Sequence, residues 1–201
     1  MTPLRLLVLL LLATSVLAEA GESAKVEILV DPDSPSASIA TIGEFSFPVG
    51  LGRKGITPAG KVFQPGRTLL GRFRIDAILS AGRFAMAPAL ITQSGKTLSW
   101  LRSNLFRNMS SIDFDGDGNG GEYGEAFLAL TPIDSTATQP FRFAEYKGVF
   151  RYYSFALHGT QDQARIGKRA TGGCINIGQD DLRKLLPLLS LGDEVVVRTK
   201  E

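Results

Sequence analysis

Short runs of branched and aromatic residues, each ended within about ten residues by glycine, proline or aspartate, leave this chain little choice but a mainly β fold. Val26, Ile28 and Val30 alternate with Glu27 and Leu29 before the turn-rich Asp31-Pro32-Asp33-Ser34-Pro35. Phe45 to Val49, Arg72 to Leu79, Ala126 to Leu130 and Val149 to Leu157 continue the pattern. One stretch departs from it. Asp180 to Leu189 has acidic residues in its first turn and Leu182, Leu185, Leu186 and Leu189 on one helical face, with Pro187 weakening its last turn. Gly192-Asp193 then turns into a last strand, Glu194 to Arg198. No internal repeat is visible, and the 22 glycines and 10 prolines are spread over turns, so one domain is expected.

At 201 residues, with 44% hydrophobic and 21% charged residues, the composition is that of an ordinary globular protein and rules out long disorder or collagen-like repeats. A net charge of +2 gives no reason to expect nucleic acid or a strongly anionic membrane surface as a partner. Arg5, the apolar run Leu6 to Leu12 and small residues ending Val16-Leu17-Ala18 read as a secretory signal peptide over 1–18, cleaved after Ala18 or Ala20. An uncleaved anchor is the alternative. No later apolar run reaches the ~20 residues of a membrane helix, so a periplasmic or secreted protein is expected. Cys174 is the single cysteine, which excludes an intrachain disulfide and a zinc site built from several thiolates. An unpaired thiol is unusual in an oxidising compartment and is often kept for chemistry.

His158, the single histidine, lies sixteen positions before Cys174. At an unperturbed pKa of roughly 8.5 a thiol is only a few per cent ionised near neutrality, and imidazole is the usual base that activates it. In Thr171-Gly172-Gly173-Cys174 the two glycines can turn consecutive backbone N–H groups toward the sulfur, as an oxyanion hole requires. Spacing alone leaves a second reading open, a structural thiol with an unrelated histidine.

Leu157-His158-Gly159-Thr160, Ile166-Gly167 and Thr171-Gly172-Gly173-Cys174-Ile175-Asn176 together resemble the signature of the YkuD-type L,D-transpeptidases: an HGT-like triplet, a loop, and a Ser/Thr-x-Gly-Cys-hydrophobic-Asn/Arg turn. Phe47-Pro48-Val49-Gly50 and Thr57-Pro58-Ala59-Gly60 resemble that family's strand and TPTG turn, an ordinary Pro/Gly turn being the other reading of the second. Tyr123 to Leu130 resembles the Gly-centred strand before its HGT segment. The resemblance covers about residues 38–199, after a strand and turn-rich lead-in at 19–37, with an atypical insertion at about 80–122. It implies a single mainly β, YkuD-like sandwich or barrel domain with one or two short helices.

The same resemblance implies that Cys174 is the nucleophile, His158 its base, and the Gly159 carbonyl the group that orients the imidazole. Backbone N–H groups of Gly173 and Cys174 would hold the oxyanion. Thr171 and Asn176 would support the turn and line the site with Thr160. Gly172 departs from the histidine found in many members. The implied chemistry is acyl transfer on peptidoglycan stem peptides, with no cofactor required. The thiolate attacks the L-centre of diaminopimelate, D-alanine leaves, and the thioester passes to an amine of a second stem or of a wall-anchored protein. With water as acceptor the site is instead an L,D-carboxypeptidase, or an amidase that releases such a protein. A catalytically silent wall-binding module is the reading from another class. Arg165, Lys168 and Arg169 either attract stem carboxylates or are ordinary solvated charge.

Asp113, Asp115, Asp117 and Asn119 alternate with Phe114, Gly116 and Gly118 in the manner of a calcium loop. Counted from Asp113 or Asp115, the closing glutamate position falls on Gly124 or Ala126. A weak structural calcium site and an acidic, glycine-rich turn both fit.

Overall fold

The computed structural model describes residues 25–108, 121, 123–134 and 142–200. The expected signal peptide and the Asp113, Asp115, Asp117 and Asn119 loop lie outside the described residues. In chain order the elements begin with β1 Lys25–Val30, β2 Ile39–Ile42, β3 Phe45–Gly52, β4 Ile56–Thr57, β5 Thr68–Leu69, β6 Gly71–Ser80 and β7 Phe84–Met86. Helices α1 Pro88–Ser94 and α2 Leu98–Asn108 follow, then β8 Ala126–Pro132, β9 Arg142–Tyr146, β10 Val149–Tyr153, β11 Phe155–Thr160, β12 Arg169–Thr171 and β13 Ile175–Gly178. Helix α3 Gln179–Leu185 and β14 Glu194–Thr199 complete the described chain. No described helix is long and apolar enough to cross a membrane.

The strands run β3-β13-β11-β8-β6-β14-β1-β2, and β2 pairs again with β3, so the sheet closes into a barrel. Closure removes free edges. Strand β1 lies inside this ring between β14 and β2, so the barrel begins ahead of residue 38. The pairing of β11 with β13 is parallel, which demands a crossover of a dozen or more residues. That requirement accounts for the sequence distance between His158 and Cys174: the loop, a 3-10 turn at Gln163–Arg165 and β12 form the crossover.

Alternation along the strands creates two cores. Ala126, Leu128 and Leu130 of β8 and Phe155 and Leu157 of β11 fill the barrel. Phe127 and Ala129, with Ala156, point to its outer face. On β6 a register shift between Ile75 and Ala77 keeps Phe73, Ile75 and Ile78 inside while Ala77 and Leu79 face out. The outer face is covered by Met86, Leu90, Leu101 and Leu105 from β7, α1 and α2, and by Tyr152 from β10. The described part of the 80–122 stretch, where no element was expected, therefore closes a second core.

Residues Val149 to Leu157, which read as one strand in sequence, are split at Ser154. The first half pairs with β9 as a separate hairpin and the second enters the barrel. Lys147 (φ 52) and Gly148 (φ 73) both take left-handed backbone at the hairpin tip, the geometry of a tight two-residue turn. Trp100 of α2 meets Phe150 edge-on at 5.1 Å, and Phe143 stacks on Phe150 at 5.4 Å, docking the hairpin on the helix. Helix α3 matches the leucine-faced stretch. Leu182 and Leu185 are buried, and at Pro187 the helix tightens into a 3-10 turn, Leu186–Leu188.

Candidate active site

The parallel register sets Leu157 beside Ile175 and His158 beside Asn176. Cys174 ends the crossover two residues before Asn176, on the outer face of the barrel, and packs against the second core. His158 is 3% exposed, with its ring 4.5 Å from that of Tyr123 and 6.1 Å from that of Phe127. Its Nδ1 lies 2.7 Å from the Gly159 carbonyl oxygen. A carbonyl only accepts, so Nδ1 carries the proton and Nε2 presents its lone pair. Burial pushes the imidazole down to about 4; the Gly159 bond opposes that shift and the Arg165 charge adds to it. The ring is therefore neutral at physiological pH.

Gly159 has no room for a side chain. A Cβ there would stand 2.7 Å from Gln179 Oε1 and 2.8 Å from Leu182 Cδ2. Gln179 also accepts from the Glu125 N–H at 3.3 Å, tying the start of α3 to the approach of β8. Close packing thus fixes the carbonyl that orients His158.

Cys174 is half-buried, and its Sγ stands 4.0 Å from the Ser154 carbonyl oxygen, at the break between β10 and β11. Thr171 holds the turn. Its hydroxyl donates to the Cys174 carbonyl at 2.6 Å and accepts from the Gly173 N–H at 3.0 Å. The Gly173 N–H expected to face an oxyanion is therefore engaged inside the turn, on the Thr171 hydroxyl. Gly173 has φ +133, and a Cβ there would come 2.9 Å from both the Arg67 carbonyl oxygen and Phe63 Cζ. Gly172 is exposed, with open space around its missing side chain.

Asn176 is 1% exposed, and neither Oδ1 nor Nδ2 has a hydrogen-bond partner among the described residues. Thr160 is buried and accepts from the Asp162 N–H at 3.2 Å, so its hydroxyl shapes the start of the crossover. Thr57 is buried in β4, and the Lys61 N–H closes a turn on the Pro58 carbonyl at 3.3 Å. Among the described residues no three His, Cys, Asp or Glu side chains converge as a metal site. Tyr123, Phe127, Ser154 and Gln179 touch His158, Cys174 or Gly159 without any motif of their own. Tyr123 and Phe127 lie in the stretch that resembles the Gly-centred strand and Ser154 inside a run read as one strand, none of them with an expected role at the site.

The family model for the YkuD L,D-transpeptidase catalytic domain matches residues 26–197. No curated protein matches the chain. Among solved structures it is similar to an L,D-transpeptidase from Mycobacterium smegmatis at 16% identity, over 87% of this chain and 59% of that one, with a TM-score of 0.39. An L,D-transpeptidase from Mycobacterium tuberculosis gives 11%, 88%, 57% and 0.44 for the same quantities. The helical cell shape determining protein Pgp2 from Campylobacter jejuni gives 15%, 90%, 49% and 0.40. The chain thus spans less than two thirds of the length of each of these.

Proposed function

The chain belongs to the YkuD family of L,D-transpeptidase catalytic domains, and from that premise we propose that it is an exported acyltransferase acting on peptidoglycan stem peptides through a thioester on Cys174. The observation that carries this reading is the His158 geometry: a buried imidazole with Nδ1 tied to Gly159, on the strand that runs in parallel beside the one leaving Cys174.

In the first half-reaction Sγ bonds to the carbonyl carbon of the L-centre of diaminopimelate while the thiol proton passes to Nε2 of His158. The bond to D-alanine breaks and the departing amine takes that proton. In the second half an acceptor amine attacks the thioester, gives a proton to His158, and the thiol is restored. Because burial disfavours the imidazolium, this proton moves as the substrate is attacked and the pair does not rest as an ion pair. The Thr171–Cys174 turn supplies the backbone N–H groups for the oxyanion, and that of Gly173 must leave the Thr171 hydroxyl to take part. The acceptor is a second stem peptide or a wall-anchored protein; water in its place makes the same site a hydrolase.

Mass spectrometry of the protein incubated with disaccharide-tetrapeptide tests the proposal. The expected products are D-alanine and a cross-linked or exchanged stem. Net addition of water alone moves the assignment to a carboxypeptidase, and no product with Cys174 intact removes the enzyme reading. Turnover by Cys174→Ala near the parent rate would sink the nucleophile assignment.

A further inference from the structure

The near-balanced net charge of +2 conceals an uneven distribution in the fold. Residues 45–71 and 163–179, which frame the nucleophile turn, hold seven Arg and Lys and no Asp or Glu. Several cations away from that turn are matched by carboxylates: Arg72 by Glu194 and Asp134, Arg74 by Asp76, Arg183 by Glu125 and Asp180, and Arg198 by Glu27, while Lys96 lies over the Trp100 ring. Arg53, Lys54, Lys168 and Arg169 are all exposed, and none has an acidic partner among the described residues. Arg165 differs, since it pairs with Asp162 at 3.5 Å.

Backbone ties bring these four residues to the turn. The Arg53 N–H donates to the Thr171 carbonyl at 3.0 Å, and the Leu51 N–H to the Lys168 carbonyl at 2.8 Å. Strand β12 sets Arg169 opposite Leu51 of β3. The Gly66 N–H donates to the Gly172 carbonyl at 2.6 Å, and the Lys54 and Arg53 stems lie over Gly66, 3.2 Å and 3.6 Å from where a Cβ would be. Like charges gathered on one face repel one another, and an anion that binds there relieves the repulsion.

We propose that this uncompensated cationic rim, Arg53, Lys54, Lys168 and Arg169, binds the carboxylates of an acidic peptide and steers it to the Thr171–Cys174 turn. The occupant fits by charge: a stem peptide carries carboxylates on D-glutamate, diaminopimelate and the terminal D-alanine. Its identity as the donor rests on the thioester reading above, while the charge on the rim does not.

The test measures equilibrium binding by fluorescence polarisation on a Cys174→Ala background, where nothing turns over. The probes are labelled L-Ala-γ-D-Glu-diaminopimelyl-D-Ala with free carboxylates and the same peptide with its carboxylates amidated. A rim variant (Arg53→Gln, Lys54→Gln, Lys168→Gln, Arg169→Gln) is compared with a distal one of equal charge (Lys96→Gln, Lys184→Gln, Arg198→Gln, Lys200→Gln), after melting curves establish that both fold. The rim variant should bind the acidic probe about tenfold more weakly, the distal variant should match the parent, and the amidated probe should not distinguish the two. Affinity of the parent should fall between about 25 and about 250 mM NaCl.

Equal losses in the two variants, equal binding of the two probes, or no binding to the parent would overturn the proposal. So would inorganic polyphosphate that binds more tightly than the peptide with the same dependence on the rim. A parallel turnover assay with Cys174 present separates the two claims. Rim-dependent binding without turnover removes the transpeptidase reading and leaves the rim; turnover with rim-independent binding does the reverse.

Discussion

One hydroxyl, that of Thr171, fixes both the carbonyl of Cys174 and the N–H of Gly173, so the Thr171–Cys174 turn is held locally and its geometry depends on the glycine that follows Gly172. The two glycines then diverge in what they tolerate. Gly173→Ala forces a side chain into left-handed backbone against the Arg67 carbonyl, and should cost at least about 2 kcal/mol together with activity. Gly172→Ala enters open space and should stay within about 0.5 kcal/mol of the parent, as urea midpoints of the two variants will show. His158 gives a second expectation. Its folded value of about 4 lies below the 6.5 of an exposed histidine, so between those pH values the unfolded chain binds the extra proton. The contribution is fully present above about pH 6.5 and is lost as pH falls toward 4, amounting to about 3 kcal/mol. Urea unfolding at about pH 7.5 and about pH 4.5 should therefore show a smaller acid loss in His158→Gln than in the parent, and equal losses would show that this ring is not held neutral by the fold. His158 and Cys174 stand out in sequence as the single histidine and the single cysteine, whereas Gly159 and Thr171 stand out only through the resemblance to the family signature. The roles of Gln179 and Tyr123 are not legible there, since each reaches the site through a tertiary contact that no short motif records.

Helix α2 and the β9–β10 hairpin form a cover whose inner surface is the second core, and that core reaches Cys174. Leu101 and Leu105 are fully buried in it. Leu101→Ala should cost about 2–5 kcal/mol, a loss of roughly 5 °C or more in melting temperature for a domain of this size. The hairpin joins β11 through Ser154, whose carbonyl faces the thiol, so turnover should fall along with stability. A melting curve unchanged by the substitution would show that the insertion does not brace the site. Elements long enough to show their period, such as β6, β14 and α3, could be read in advance. The break at Ser154 could not, because the residues on both sides are equally strand-forming and only pairing with different partners separates them. Strands β2 and β13, four residues each, are too short to carry a periodic signature, and their partners define them.

The closed barrel makes the first described strand indispensable, although its sequence resembles a lead-in ahead of the catalytic region. Strand β1 pairs in parallel with β14 and antiparallel with β2, so the ring is continuous only while β1 is present. Val26, Ile28 and Val30 are fully buried in the barrel core. At about 1.5–3 kcal/mol for each side chain, their burial alone is comparable to the 5–15 kcal/mol by which a typical domain is stable. Removal would also expose the hydrogen-bonding edges of β14 and β2, which invites pairing between chains. A chain beginning at residue 38 should therefore show no cooperative thermal transition and should aggregate, whereas one beginning at residue 24 should melt as the full chain does. Differential scanning calorimetry of the two truncations decides the matter. A cooperative transition in the shorter chain would mean that β14 and β2 can close the barrel without β1 between them.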